Sequence, residues 1–174
     1  STGSHSLEYG KTDHYVESCE VVFADGTVDR LGEVSVETIR AEADPEGSTL
    51  ERVYTEVAAM LDEERSEIRD RFPQLKRNVS GYNLDRLVAE ADGAYGEAGI
   101  VNLARLLAGS EGTLAVVTEA TVSLEPIPET KAVALLTYDS LQTAMADVEP
   151  ILEHDPAAVE VMDDVLLDLA RDTP

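Results

Sequence analysis

Three clusters of glycine and hydroxyl residues are the parts of this sequence best suited to chemistry on a bound ligand. They are STGS at residues 1–4, RNVSGYNL at 77–84 and GSEGT at 109–113. Glycine lets the backbone approach a flat or anionic ligand, and successive amide N–H groups with Ser and Thr hydroxyls supply hydrogen-bond donors. Each cluster by itself is more typical of a turn than of a site. Together they favour a ligand-binding wall and a set of plain turns about equally.

Other catalytic and metal-binding patterns do not occur in the sequence. It has no G-x-S-x-G elbow and no G-x-x-x-x-G-K-[ST] loop, which removes the commonest serine-hydrolase and P-loop classes. The histidines His5, His14 and His154 lack metal-ligand spacing. The single cysteine, Cys19, excludes an internal disulfide or a Cys-based cluster. We therefore predict no metal site and leave the catalytic residues unassigned.

The net charge of −23 is the strongest signal in the composition. The chain has 36 acidic residues against 13 basic ones, and lysine occurs only at positions 11, 76 and 131. Because phosphate binding requires a basic stripe, we expect no nucleic-acid partner. A hydrophobic content of 43% with clear periodicity argues against disorder. Acids spread along the whole chain with scarce lysine are typical of a salt-adapted, halophilic protein.

The hydropathy pattern predicts no membrane span. No run of about 18 apolar residues occurs, and no charged-then-apolar leader opens the chain. With a single cysteine, these features predict a soluble intracellular protein.

The region before the GSEGT cluster predicts a hairpin and a long helix. Residues 18–31 form two strand-like runs about Asp25-Gly26, a strong turn signal, with Cys19 buried on the first strand. The helix begins at Ser48, whose spacing from Glu51 is that of a capping box, and it ends before Pro73.

The GSEGT cluster stands between a short predicted helix and a predicted strand. Leu103, Leu106 and Leu107 indicate the helix, and residues 116–124 alternate as in a half-buried strand.

A second pattern begins after the proline-containing stretch EPIPETK at 125–131. Residues 132–138 predict a strand, residues 140–154 a helix with Ser140 as N-cap, and residues 158–171 a strand that runs into a helix. This β-α-β-α order predicts the first half of a small α+β domain.

Four segments, in this order, resemble the FAD-linked oxidases of the vanillyl-alcohol oxidase type. They are STGSHSLEYGKTDH at 1–14, VVFADG at 21–26, RNVSGYNL at 77–84 and GSEGTLAVVT at 109–118, and GSEGTL is the most specific piece. This group includes D-lactate, glycolate and D-2-hydroxyglutarate dehydrogenases. The sequence is most similar to the large members, in which the flavin unit is fused to a C-terminal, cysteine-rich iron–sulfur region.

The resemblance implies an α+β fold in two parts. Residues 1–126 correspond to the second half of a PCMH-type FAD-binding domain, and residues 130–174 to the start of a ferredoxin-like FAD-oxidase C-terminal cap domain. The family's first glycine-rich phosphate loop, the histidine-rich motif of the cap domain and the iron–sulfur cysteines do not occur here. We therefore expect the sequence to be a fragment of a longer protein.

The resemblance also implies which residues contact FAD. In the family the opening stretch lies along the flavin, and the GSEGTL turn with its following strand contacts the ribose, pyrophosphate or adenine. The corresponding residues here are Ser1, Thr2, Gly3 and Ser4 for the first contact, and Gly109, Ser110, Glu111, Gly112, Thr113, Val116 and Val117 for the second. Ala115 replaces the glycine usual in that motif.

The activity implied by the resemblance is oxidation of a D-2-hydroxy acid by hydride transfer to FAD. Electrons would then pass to an iron–sulfur partner or a quinone, and the protein would be cytoplasmic, with membrane association only through these partners. The 174 residues by themselves are expected to be inactive and to bind FAD weakly or not at all. The alternative interpretation is a non-catalytic, acidic α+β binding module whose glycine turns are purely structural.

We predict that the melting temperature of the chain rises steeply between low and molar salt. Salt screens the mutual repulsion of the acidic side chains, since the Debye length shrinks to about 3 Å at 1 M. Thermal unfolding followed by circular dichroism across a KCl series measures this effect. A melting temperature that stays constant over the series contradicts the halophilic interpretation.

Overall fold

The computed structural model describes Gly3, residues 5–73, 75, 78 and 81–171. The chain forms two compact units, one of Lys11–Leu124 and the other of Thr2–Gly10 with Glu125–Pro174. Helices and a small sheet confirm the predicted mixture of α and β structure. The family domains expected at 1–126 and 130–174 stay predictions. Among the described residues, no helix combines the length and the apolar character that crossing a membrane requires.

Among the described residues, five strands belong to the first unit. They are β1 (Val16–Val22), β2 (Val28–Leu31), β3 (Glu33–Ser35), β4 (Ile100–Asn102) and β5 (Val116–Val122). One antiparallel sheet has the order β2-β1-β5, and β3 pairs with β4 in a second, two-stranded sheet. The predicted hairpin of β1 and β2 is confirmed, and Cys19 is buried on β1. Gly26 has a φ of 85° at the hairpin turn, a conformation that glycine adopts without strain.

The helices of the first unit surround these strands. They are a 3-10 turn (Thr12–Tyr15), α2 (Val36–Glu42), α3 (Thr49–Ala59), a π-helical stretch (Met60–Glu64), α4 (Arg65–Arg71), α5 (Leu84–Ala91) and a second 3-10 turn (Leu103–Leu106). The first helix of the chain, α1 (Ser6–Tyr9), belongs to the second unit.

The long predicted helix and its capping box are confirmed. Ser48 Oγ accepts a hydrogen bond from the amide of Glu51 at 3.3 Å, and the Glu51 carboxylate accepts one from the amide of Ser48 at 2.6 Å. The helix runs from α3 through the π-helical stretch into α4 and ends at Arg71, two residues before Pro73. Asp25 links this helix to the hairpin, because its carboxylate accepts hydrogen bonds from Thr27 and Thr49 that lower its pKa to about 2.

A single apolar core joins the strands and helices of the first unit. Its buried members come from β1, β2, α2 to α5, β4 and the segments next to them: Val16, Cys19, Val21, Leu31, Val36, Ile39, Tyr54, Val57, Leu61, Ile68, Leu87, Val88, Ala91, Val101, Leu103 and Ala104.

The half-buried strand predicted at 116–124 is only partly correct. Residues 116–122 do form β5, but every residue of the strand is exposed, and Val116 is 65% accessible. The strand lies at the edge of its sheet and packs mainly against β1, while the core helices cover other elements. The alternating sequence therefore identified the strand but not its exposure.

The second unit contains two further helices, α6 (Leu141–Leu152) and α7 (Asp164–Arg171). Ser140 caps α6 as predicted, since its Oγ accepts a hydrogen bond from the amide of Thr143 at 3.2 Å. The predictions of a strand at 132–138 and of another at the start of 158–171 are wrong. Both segments are irregular because, among the residues that the structure describes, no neighbouring segment pairs with them.

A buried carboxylate holds together the part of the fold that leads to the GSEGT turn. Glu90, on α5, accepts hydrogen bonds from Arg86 Nε at 2.8 Å, from the amide of Asn102 at 2.9 Å and from Arg105 Nη1. Arg105 and Asn102 in turn donate to the carbonyl of Val16 on β1, each at 3.3 Å. Glu90 therefore connects α5, β4, the second 3-10 turn and β1.

We predict that Glu90→Gln destabilises the protein by about 3–5 kcal/mol, because breaking a buried ion pair leaves uncompensated charge behind. Glutamine keeps the size of the side chain but replaces one acceptor oxygen with an NH₂ group that faces other donors. Urea unfolding measures the change. The matched control is Glu67→Gln, since Glu67 forms an exposed i,i+4 pair with Arg71. That substitution should cost about 0.5 kcal/mol or less, and equal losses in the two variants contradict the prediction.

Candidate functional site

The GSEGT turn, residues 109–113, has an unusual backbone. Gly109, Glu111 and Gly112 have positive φ angles of 105°, 53° and 77°. Glycine adopts such angles freely, whereas a glutamate with positive φ is uncommon and requires support from its surroundings. The turn is therefore held in a specific shape rather than being a relaxed connection.

The two hydroxyl residues hold the turn closed from inside. Ser110 is buried, and its amide and Oγ both donate to the carbonyl of Leu107, at 3.1 and 3.0 Å. Thr113 donates to the carbonyl of Ser110 through its amide at 3.0 Å and through Oγ1 at 2.6 Å. These hydroxyls therefore stabilise the turn itself, which is one of the two roles that the sequence left open for them.

The groups of the turn that can donate hydrogen bonds to a ligand are its backbone amides rather than its hydroxyls. Within the part of the chain that the structure describes, the amides of Glu111 and Gly112 donate to no other group. A Cβ atom placed on Gly112 would meet no protein atom within 4 Å. The turn therefore presents free amides next to open space.

The second sequence cluster packs against this turn through three consecutive residues. A Cβ atom on Gly109 would lie 3.2 Å from the carbonyl oxygen of Gly81, so a side chain at this position would crowd that carbonyl. Tyr82 Oη hydrogen-bonds Thr113 Oγ1 at 2.9 Å, and Asn83 Nδ2 donates to the carbonyl of Ala108 at 2.7 Å. The structure thus brings together RNVSGYNL and GSEGT, two of the three clusters singled out in the sequence.

Sequence reasoning missed Lys11 and gave no separate role to Asn83. Lys11 Nζ donates to Asn83 Oδ1 at 3.1 Å and to the carbonyl of Asn78 at 2.9 Å. It also lies 3.9 Å from Asp13 Oδ1. Asp13 is buried, and its Oδ2 accepts no hydrogen bond within the described residues. The scarcity of lysine was the one available signal, since a retained lysine in so acidic a chain suggests a specific partner.

A histidine stands next to this group of charges. Burial is the main cause that lowers the pKa of His14 below its ordinary value. Asp13 acts in the opposite direction, while Arg86, Lys11 and Arg105 lower the pKa further. The lowered pKa favours the uncharged form of the His14 imidazole at neutral pH.

The remaining predicted site residues lie elsewhere or outside the description. Val116 and Val117 are the first two residues of β5 and are exposed. Ser1, Thr2 and Ser4 lie outside the described residues, and the exposed Gly3 belongs to the second unit. Among the described residues, no group of three or more His, Cys, Asp or Glu side chains could hold a metal ion.

A pocket of about 210 Å³ near Glu90 is a weaker candidate for a site. Its lining includes three carboxylates, from Glu33, Glu90 and Glu97, together with Arg105. Arg105 is already paired with Glu90, so the pocket offers no free cation to an anionic ligand. The GSEGT turn remains the better candidate.

The comparisons with known proteins agree with the motifs. Residues 127–174 match the family described as FAD linked oxidases, C-terminal domain. The sequence is 33% identical to a D-2-hydroxyglutarate dehydrogenase of Pantoea ananatis over 173 residues, which is 99% of the chain. It is 31% identical to the D-2-hydroxyglutarate dehydrogenase of Escherichia coli over 172 residues, also 99% of the chain. It is 29% identical to the glycolate oxidase subunit GlcD of Bacillus subtilis over 174 residues, again 99% of the chain. The chain is homologous to these proteins.

These matches confirm the resemblance to FAD-linked oxidases and the presence of an FAD-oxidase C-terminal domain. The family implies FAD as the cofactor of the whole protein. The chain spans 16% of the length of the two D-2-hydroxyglutarate dehydrogenases and 24% of that of GlcD. No solved structure matches the chain.

We predict that Gly109→Ala destabilises the protein more than Gly112→Ala. Each alanine adopts a positive φ at a cost of roughly 1–2 kcal/mol. At Gly109 the new Cβ also crowds the carbonyl of Gly81, whereas at Gly112 it meets open space. Urea unfolding of both variants gives the comparison. A larger loss in Gly112→Ala contradicts the described packing of the turn against residues 81–83.

Proposed function

We propose that this chain is part of an FAD-dependent oxidoreductase that oxidises a D-2-hydroxy acid of the D-2-hydroxyglutarate, glycolate or D-lactate class. The observation that carries the proposal is the GSEGT turn, whose free amides at Glu111 and Gly112 border open space. Homology to dehydrogenases and an oxidase subunit along nearly the whole chain supports it. The same homology favours the oxidoreductase over a non-catalytic binding module.

The turn fits the nucleotide half of FAD better than its flavin. Two neighbouring amides can donate to ribose, adenine or phosphate acceptors, and the absence of a side chain on Gly112 allows close approach. The exposed carboxylate of Glu111 repels a pyrophosphate but accepts hydrogen bonds from ribose hydroxyls. The ribose is therefore the part of FAD that we place against the turn.

When bound, FAD supplies the redox chemistry by accepting a hydride from the α-carbon of the hydroxy acid. The residues of this chain bind and orient the nucleotide half through the turn. No residue of the chain is assigned a part in proton transfer. The proposed site also includes Ser1, Thr2, Gly3 and Ser4 along the flavin, and backbone groups of Val116 and Val117.

The finer features implied by the family belong to the same proposal. Residues 1–126 are proposed to be the second half of a PCMH-type domain, and residues 130–174 the start of a ferredoxin-like cap. Electrons are proposed to pass to an iron–sulfur partner or a quinone. A halophilic setting is proposed from the net charge of −23. A cytoplasmic location is proposed from the single cysteine and the hydropathy pattern.

We predict that Gly112→Val reduces FAD binding by about tenfold or more in the whole protein that contains this chain, a loss equivalent to about 1.4 kcal/mol. The valine side chain would occupy the open space in which the nucleotide is proposed to lie. The ratio of flavin absorbance to protein absorbance after purification measures FAD occupancy. The isolated 174 residues should purify colourless.

The matched control is Gly26→Val in the hairpin turn. Gly26 also has a positive φ, of 85°, and a Cβ there also meets no atom within 4 Å. The backbone strain of the two substitutions is therefore similar, but only one of them lies in the proposed site. A yellow Gly112→Val protein, or equal loss of flavin in both variants, argues against the proposed site.

A further inference from the structure

We propose that Lys11 and Asn83 form a positioning pair that sets the shape of the GSEGT turn for the nucleotide half of FAD. The inference rests on the proposed function. Neither residue is assigned a contact with FAD, and both act through the backbone of residues 105–108, which leads directly into the turn.

Asn83 stands where an asparagine usually caps a helix, but it does not cap this one. It occupies the residue before α5, and its side chain makes no hydrogen bond to the first turn of the helix. Its Nδ2 instead donates to the carbonyls of Arg105 at 2.9 Å and Ala108 at 2.7 Å. An N-cap hydrogen bond commonly stabilises a helix. The Asn83 side chain instead holds Ala108, the residue that precedes Gly109.

Lys11 determines which way the Asn83 amide points. The Lys11 ammonium can only donate, and it lies 3.1 Å from Asn83 Oδ1. The two carbonyls on the other side can only accept, so they require the NH₂ group of the amide. A flipped amide would place donor against donor and acceptor against acceptor. The side chain is 7% exposed, so water does not relieve such a mismatch.

The position of Lys11 is itself fixed. Its ammonium also donates to the carbonyl of Asn78 at 2.9 Å, and the carboxylate of Asp13 lies 3.9 Å away. Lys11 and Asn83 are 72 residues apart in the sequence. The pair therefore anchors the residues that precede both α5 and the turn to the segment 11–13.

Loss of the contacts made by Lys11 and Asn83 should displace the GSEGT turn before it disturbs the rest of the fold. Ala108 is the neighbour of Gly109, which already lies in close contact with the carbonyl of Gly81. A shift of Ala108 moves Gly109 and hence the orientation of the free amides at Glu111 and Gly112. The contacts of Glu90 with Arg86 and with the amide of Asn102 do not involve the Asn83 side chain.

The test is Asn83→Asp in the whole protein, with Asn102→Asp as the matched control. Aspartate keeps the shape and the Lys11 contact but turns an oxygen toward the two carbonyls. Asn102 is equally a buried asparagine: its Nδ2 donates to the carbonyls of Val16 and Glu17, and its Oδ1 accepts from the amide of Ala104. The Asn102 side chain holds β1 and the start of the second 3-10 turn and makes no hydrogen bond to residues 105–108. Asn102→Asp therefore causes similar damage outside the segment that leads directly into the turn.

Affinities of the apoproteins for FAD, ADP and FMN are measured by titration calorimetry below the lowest melting temperature of the set. We expect Asn83→Asp to weaken FAD and ADP binding by about tenfold and to leave FMN binding unchanged, because only the nucleotide half contacts the turn. Asn102→Asp should lower the melting temperature but bind all three ligands as the unsubstituted protein does. Lys11→Met, which removes only the ammonium, should weaken FAD and ADP binding in the same way. This variant replaces Asn83→Asp in the test if Asn83→Asp does not fold.

Unchanged FAD affinity in Asn83→Asp or Lys11→Met overturns the inference. So does an equal loss of ADP and FMN binding, or an equal loss in Asn102→Asp, since either result indicates general damage. If the unsubstituted apoprotein binds no FAD, the proposed function fails instead. The two failures are therefore distinguishable in one set of titrations.

Discussion

The buried carboxylate of Glu90 is the interaction on which the arrangement of the first unit depends. It balances the guanidinium groups of Arg86 and Arg105 and accepts a hydrogen bond from the amide of Asn102. The guanidinium of Arg86 also stacks over the ring of Tyr95, 3.5 Å from its centroid. Since each of these groups is costly to bury alone, the cluster is stable only as a whole. It therefore fixes α5, β4 and β1 relative to one another.

The candidate site derives its geometry from the two ends of α5. Glu90, in the last turn of the helix, holds Asn102 and Arg105, and Asn83, just before the first turn, holds the carbonyls of Arg105 and Ala108. The segment between Asn102 and Ala108 is thus fixed at both ends by polar contacts within an otherwise apolar core. The GSEGT turn begins where that fixed segment ends, so its open amides have a defined direction. In the proposed site, neutral amides rather than a cation would contact the nucleotide, in a chain of net charge −23.

The sequence by itself determined the features whose signals lie within a few residues. The hairpin at Asp25-Gly26, the capping box of Ser48 and Glu51, and the N-cap at Ser140 all follow from local hydrogen bonds and backbone preferences. The motifs also indicated the resemblance to FAD-linked oxidases, which the comparisons support, because the glycine-rich segments can be read directly from the chain. Of the three glycine and hydroxyl clusters, the structure describes only GSEGT in full. The positive φ angles of this cluster define a specific turn conformation.

Tertiary structure alone decided the features that need a partner far along the chain. A strand forms only where another segment pairs with it, and among the described residues none pairs with 132–138. The strand β5 is exposed because it lies at the edge of its sheet and packs mainly against β1. The contact of Lys11 with Asn83 spans 72 residues, and no local pattern encodes it. The sequence also could not show that the hydroxyls of the turn bond to its own backbone, which leaves the amides free for a ligand. Each of these outcomes depends on which groups meet in space, and periodicity and spacing do not specify that.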